Sequence, residues 1–261
     1  MNISGLIGLL AAVGLVIFGM LDGGEARNFL EPASIAITVG GTIGALLISI
    51  PWSVVKKTPK LIALAFFPPK YKPREKINLI VDYAKIARSK GLLALEDSAN
   101  NCPDPFMKSS LMLIVDANDA EKVRKMLDDA LDFTDERHSQ NREFFDRGAQ
   151  LAPAFGMLGT LIGLINMLAD LDSNPDNLGQ GMAVALITTF YGSFLANIIF
   201  SPVSSRLKAL HEEEMLCMNI TVEGVLAIQS GANPRNIEEK LEFMLSQKEL
   251  NSKKHKNRAS D

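Results

Sequence analysis

Four stretches of this chain contain no Asp, Glu, Lys, Arg or His: Met1 to Leu21, Pro32 to Val55, Gly148 to Ala169, and Asn177 to Ser205. Each reaches or exceeds the roughly 20 residues that a helix needs to cross the hydrocarbon core of a bilayer. Lipid offers peptide groups no hydrogen-bond partner, so such a segment must be a helix that satisfies its own backbone. The pattern predicts four transmembrane helices. A cleaved signal peptide is the other reading of the first stretch, but a basic lead-in and a small-residue cleavage site are missing and a second span follows closely.

Charge sets the orientation. Asp22, Glu25, Arg27 and Glu31 lie between the first two spans, and Asp170, Asp172 and Asp176 between the last two. These loops hold one of the chain's 27 basic residues. The rest fall in 56–147 or after 205, many at a membrane edge: Lys56, Lys57, Lys60, Arg142, Arg147, Arg206 and Lys208. The positive-inside rule places both termini and both long segments in the cytoplasm. The expected organisation is transmembrane helices one and two over 1–55, a cytoplasmic helical domain over 56–147, transmembrane helices three and four over 148–205, and cytoplasmic C-terminal helices with a basic tail over 206–261.

A formal net charge of −3, with no basic stripe interleaved with aromatics, argues against a nucleic-acid partner. Cys102 and Cys217 fall in the segments assigned to the cytoplasm and are expected as reduced thiols. His138, His211 and His255 lack metal-ligand spacing with either cysteine, so no metal site is expected. Enzyme motifs are absent, and neither a catalytic residue nor a cofactor is assigned.

The class is all-α. Ile77, Ile80, Val81, Ala84 and Ala87 recur at helical spacing up to Gly91, a C-cap. Cys102-Pro103-Asp104-Pro105 reads as a turn before an apolar helix, Phe106 to Val115. Asp119 is placed to cap the next helix, with Ala120, Val123, Met126, Leu127, Ala130 and Leu131 on its apolar face and a polar run, Thr134 to Gln140, leading into the third span. Beyond the fourth span, Arg206 to Gln229 is expected as helix with Gly231 as its C-cap. Asn233-Pro234 reads as a turn, and a last helix, Arg235 to Gln247, carries Ile237, Leu241, Met244 and Leu245 on one face. The basic tail, Lys253 to Arg258, is a solvated segment or a contact for anionic lipid.

Small residues mark the spans. Gly5, Gly8, Ala11, Ala12 and Gly14 in the first, and Gly40, Gly41 and Gly44 in the second, are read as packing within the subunit rather than as a pore. The third carries Gly156, Gly159 and Gly163 along one face, and the fourth Ala185, Thr189, Gly192 and Ala196. Thr188, Tyr191, Ser193, Asn197 and Ser201 add polarity there. Two such faces suit the lining of something that must slide or pass. Pro153 and Pro202 each remove an intrahelical hydrogen bond, freeing a carbonyl for an ion or a neighbour, or simply kinking the helix. An ion path through hydrocarbon normally contains an ionisable residue. None of the four stretches has one. Either the protein conducts nothing, or a partner supplies the carboxylate while Thr160 and Thr189 offer hydroxyl oxygens to a hard cation. As lone residues, such threonines are more often packing hydrogen bonders.

These residues, with Ala87 to Glu96, Thr134 to His138, Ala152 to Gly163, Ala183 to Gly192 and Glu223 to Gln229, resemble the flagellar stator branch (MotA and PomA) of the MotA/TolQ/ExbB family over nearly the whole chain. The resemblance implies a bacterial inner-membrane stator in which five copies ring two single-span MotB/PomB-like chains that bring the ion-carrying Asp. Ion passage, of sodium or protons, would then drive torque on the rotor switch protein FliG for motility and chemotaxis. It implies that Pro153, Thr160, Thr189, Tyr191 and Pro202 face the ion path or the partner, and that Arg88 and Glu96 contact the rotor. By themselves Arg88 and Glu96 read as a solvated pair. The threonines match sodium-type relatives, whereas many proton-type relatives have alanine at one or both positions. The nearest rival is a TolQ/ExbB-type energy-transducing subunit, which usually has three spans. A self-sufficient channel would show an intramembrane charge or paired discontinuous repeats. A structural scaffold would have no need of the two threonines.

Overall fold

The fold follows from helix periodicity interrupted by proline and glycine. A computed structural model of the protein describes residues 3–22, 26–116, 119–171 and 178–246, and every regular element among them is helical. The helices are α1 (Ile3–Asp22), α2 (Pro32–Ile35), α3 (Gly41–Ser49), α4 (Trp52–Val55), α5 (Thr58–Phe66), α6 (Pro73–Lys90), α7 (Leu95–Asn100), α8 (Pro105–Val115), α9 (Ala120–Ala169), α10 (Leu178–Phe194), α11 (Ser201–Gln229) and α12 (Pro234–Glu242). π-helical turns at Ala36–Gly40 and Leu195–Phe200 join α2 to α3 and α10 to α11 into longer helices. Prolines open α2, α6, α8 and α12, where a missing N–H costs nothing.

Among the described residues, three helices are long and apolar enough to cross a membrane: Pro32–Ser49, Ala120–Ala169 and Leu178–Gln229. The 20-residue α1 adds a further apolar helix, with Leu10, Leu15 and Phe18 exposed. The chain divides into two compact units. Met1–Pro69 with His138–Leu210 forms one, and Lys70–Arg137 with His211–Asp261 the other.

In the first unit, Ser34, Thr38 and Thr42 form a buried polar stripe at i, i+4, i+8 along the second apolar helix. Ser34 and Thr38 donate long hydrogen bonds of 3.5 and 3.4 Å to the Val184 and Thr188 carbonyls of α10. The Thr42 hydroxyl turns back to the Thr38 carbonyl at 2.6 Å. The ring of Phe155 lies over Gly41, where any side chain would collide with it. Gly8 and Gly14 of α1, and Gly40 and Gly44, have nothing within 4 Å of where a side chain would begin. The expected packing of these small residues within the subunit is therefore met at Gly41 and not at these four. Where the chain leaves the apolar helices, Ala65, Phe145, Val203 and Leu207 pack together, and Ser204 donates a hydrogen bond to Asp146, which also pairs with Arg142 at 3.6 Å.

The second unit is a helical core. Ile77, Ile80, Leu95, Met107, Leu111, Ile114, Ile220 and Ile237 are fully buried, each contributing about 1.5–3 kcal/mol by leaving water. α6 ends at Gly91, whose φ of 85° favours glycine. The Asp104 carboxylate accepts from the Phe106 and Met107 N–H groups at 2.9 and 3.1 Å and caps α8. Asp119 likewise accepts from the Glu121 N–H at 3.2 Å, as expected. On α9 the buried stripe is Val123, Leu127, Leu131 and Thr134, at offsets of four, four and three; Met126 and Ala120 fall on the exposed side of it. Gly231 closes α11 with a φ of 71°. Asn233 is an N-cap, accepting from the Arg235 N–H at 3.1 Å, rather than a free turn. α12 stops at Glu242, short of the expected Gln247, although Leu245 is still buried.

Glu223 ties three helices of this unit, pairing with Lys240 at 2.5 Å and Arg124 at 3.2 Å. The Lys240 hydrogen bond holds its carboxyl below the ordinary value of 4.5, against the opposing effect of burial and with help from Arg124. A lowered folded pKa means that this stabilisation is complete above pH 4.5 and is lost as pH falls through the folded value. Glu223→Gln is expected to cost about 1 kcal/mol at neutral pH, and to flatten the acid limb of stability. Thermal unfolding of the solubilised protein across pH measures both; an acid limb identical to wild type would contradict the pairing.

Candidate functional site

Within the first unit the glycines of α9 and the small residues of α10 meet face to face. A methyl group added at Gly163 would stand 2.6 Å from the Gly181 carbonyl oxygen and 2.7 Å from the Ala185 nitrogen. One at Gly192 would stand 2.7 Å from the Ala152 carbonyl oxygen and 3.2 Å from the Pro153 Cα. Gly159 is closed by the side chain of Thr188, which is fully buried. The small faces thus pack on each other and form a seam. Such close approach is what small residues at this spacing permit in membranes.

Thr160 and Thr189 come together at the seam. Their hydroxyl oxygens lie 2.6 Å apart. Both reach the Ala185 carbonyl, at 2.9 Å from Thr160 and 3.2 Å from Thr189, and Thr160 also reaches the Gly156 carbonyl at 3.1 Å. Each hydroxyl has one proton to give and two lone pairs. Two hydroxyl protons, with the helical N–H groups of Thr160 and Thr189 on the Gly156 and Ala185 carbonyls, serve four oxygens, so some lone pairs remain unshared. Thr189 is exposed on the surface of the unit and Thr160 half-buried, so the cluster opens outward. Neutral oxygens in this number can ligate a hard cation but leave its charge uncompensated. The Ala185 carbonyl, shared by both threonines, is a participant that side-chain reading missed.

Pro153 lies on the same seam, beside Gly192. Pro202 does not join it. It is exposed, follows the π turn in which the Ser201 N–H reaches back five residues to the Ala196 carbonyl, and lines a separate apolar cavity. Tyr191 lies two residues beyond Thr189, which places it on another side of the helix. Its hydroxyl donates to the Phe29 carbonyl at 2.7 Å, holding the short 3-10 turn Ala26–Phe29. At the other end of the seam Gly163 and Gly181 border a polar pocket of about 340 Å³ that also holds Glu31, Asn166, Asp170 and Gln180. Glu31 and Asp170 had been read only as loop charges; their place at the ends of the charge-free stretches was the available signal.

Arg88 and Glu96 belong to the second unit. Both are exposed, on either side of the Gly91 turn, with Leu93 exposed between them in sequence. Neither forms an ion pair among the described residues.

Residues 98–220 match the MotA/TolQ/ExbB proton channel family, and residues 6–91 the motility protein A N-terminal family. The motility protein A of Borreliella burgdorferi is 40% identical over 250 residues, 95% of this chain and 96% of the relative. The chemotaxis protein PomA of Vibrio alginolyticus is 38% identical over 247 residues, again 95% and 96%. Among solved structures, the C. jejuni MotAB structure superposes with a TM-score of 0.85 at 28% identity, over 95% of this chain and 97% of the other. The flagellar MotAB stator complex of Bacillus subtilis superposes with a TM-score of 0.84 at 31% identity, over 97% and 98%.

Proposed function

Since the chain belongs to the MotA/TolQ/ExbB proton channel family, as a stator subunit of the bacterial flagellar motor, we propose that it works through the Thr160–Thr189 oxygen cluster. The observation that carries this reading is the pairing of those hydroxyls, 2.6 Å apart, in spans that contain no Asp, Glu, Lys, Arg or His. The neutral oxygens take over part of the ion's hydration shell, and a single-span MotB-type partner brings the carboxylate that neutralises it. Glu31 and Asp170, at the far end of the seam, add negative potential that concentrates cations there.

In this reading α1 is a fourth span and both termini are cytoplasmic in the inner membrane. Five copies surround the partner helices. Pro153, on the seam, and Pro202, after its wide turn, are the points where the two long helices yield as the ion passes. The exposed Arg88 and Glu96 present opposite charges to the switch protein FliG. Arg88→Glu is then expected to remove most of the swimming speed without altering ion conductance, because a charge reversed against its partner costs on the order of several kcal/mol. Unchanged speed in a tethered-cell torque assay would remove Arg88 from the rotor contact.

The deciding experiment is the swimming speed of a stator-deleted strain carrying this protein and its partner, across sodium concentrations at fixed proton motive force. Speed that rises and saturates with sodium supports sodium passage at Thr160 and Thr189. Speed that ignores sodium and collapses with a proton uncoupler makes the ion a proton and returns the threonines to packing.

A further inference from the structure

A cavity of about 650 Å³ opens in the first unit between α1, α5 and the end of the fourth apolar stretch. Gly8 and Ala12 form one wall, Phe66 a second, and Ile198 and Pro202 a third; Arg206 stands at its charged end. We propose that this cavity is a binding site for an anionic glycerophospholipid of the cytoplasmic leaflet, with an acyl chain in the apolar hollow and the phosphate on Arg206.

The lining is mostly aliphatic and aromatic, with Asn197 and Ser205 as neutral polar side chains, and its one ionisable residue, Arg206, comes from the point where the charge-free stretch ends. Lipid has this same division. The three walls also agree in sidedness. The first turns of α1, the helix that follows the second span, and the last turn of the fourth span are the chain segments that the charge pattern assigns to the cytoplasmic edge. Lys56, Lys57, Lys60 and Lys208 fall at that edge as well. Basic pockets between helices on this side of a membrane attract anionic headgroups.

The hollow is not a packing seam. A side chain begun at Gly8 would meet nothing within 4 Å, in contrast to the seam glycines of α9. An apolar void of about 150 Å³ already takes up small hydrocarbons, and this one is larger. The guanidinium of Arg206 has five N–H donors in a fork suited to phosphate, so a protein partner does not exhaust it. The site rests on the membrane placement proposed above and not on the stator role, so its failure would leave sodium-dependent swimming untouched.

The test is native mass spectrometry of the full stator complex, purified in detergent and titrated with palmitoyl-oleoyl phosphatidylglycerol or the matching phosphatidylcholine. Wild type is expected to retain phosphatidylglycerol in preference. Arg206→Gln should lower that retention about fivefold, the scale of one basic residue at a charged membrane surface, while Arg206→Lys keeps the preference. Gly8→Leu, which projects into open space, should lower retention of both lipids. Equal retention of the two lipids by wild type overturns the proposal without any variant. So does unchanged phosphatidylglycerol retention in both Arg206→Gln and Gly8→Leu. A benzophenone attached to Gly8→Cys should yield an adduct of lipid mass on illumination; covalent dimers of the chain would show a second copy in the cavity and overturn the lipid assignment.

Discussion

A single methyl group at Gly163 is expected to abolish swimming. In Gly163→Ala the new carbon would lie 2.6 Å from the Gly181 carbonyl oxygen and 2.7 Å from the Ala185 nitrogen, both backbone atoms. Neither can turn aside as a side chain does, so α9 and α10 must separate. Overpacking of this kind costs about 1–3 kcal/mol. The better helix propensity of alanine returns at most about 1 kcal/mol, and the clash wins. The consequence exceeds the energy, because the Ala185 carbonyl is the oxygen that both threonines share. A displacement of several tenths of an ångström at Ala185 dismantles the cluster. Gly44→Ala is the matched control, as its added methyl meets nothing within 4 Å among the described residues. Spreading in soft agar and copurification with the partner separate loss of function from loss of assembly. Wild-type swimming in Gly163→Ala would mean that the two helices do not pack at glycine distance.

Much of the local structure was legible because several boundaries have a chemical marker. Gly91 and Gly231 take the positive φ that ends a helix, and Asp119 accepts from a free N–H group; Asp104, read only as part of a turn, does the same for α8. The seam was legible only in part. A stripe of small residues states that something approaches closely and does not say what. For α9 and α10 it is each other; for Gly8 and Gly14 it is nothing among the described residues. Thr160 and Thr189 are 29 residues apart in sequence, and only the pairing of their helices brings the hydroxyls to 2.6 Å. The Ala185 carbonyl has no side-chain signature at all. The second span hid a regular signal, Ser34, Thr38 and Thr42 at every fourth residue, which small-residue counting passed over because two of the three are threonine. Met126 went astray for the opposite reason. Third- and fourth-residue spacings both suit a helix, but one narrow stripe, Val123, Leu127, Leu131 and Thr134, is enough to face the core of the second unit.

Thr189→Val is expected to cut ion-driven swimming strongly while the stator still assembles. Valine keeps the shape and removes the hydroxyl. The fold tolerates the loss because Thr160 still has the Ala185 and Gly156 carbonyls at 2.9 and 3.1 Å, so no donor is stranded. What disappears is one oxygen of four in the cluster, together with its hydrogen-bond contact to the Thr160 hydroxyl. A lost hydroxyl contact is worth about 1–2 kcal/mol, which in a sodium-driven motor moves the sodium concentration for half-maximal speed up by roughly tenfold. High sodium should therefore restore part of the speed, and Thr189→Ser most of it. Thr160→Val should act in the same direction, and the double variant should fall short of the sum, because hydroxyls in contact share one interaction. An additive pair would place the two threonines in separate roles despite their distance. Swimming in Thr189→Val that matches wild type at every sodium concentration would leave the pair as a packing contact between helices, and the ion would then have to be desolvated by the partner's oxygens alone.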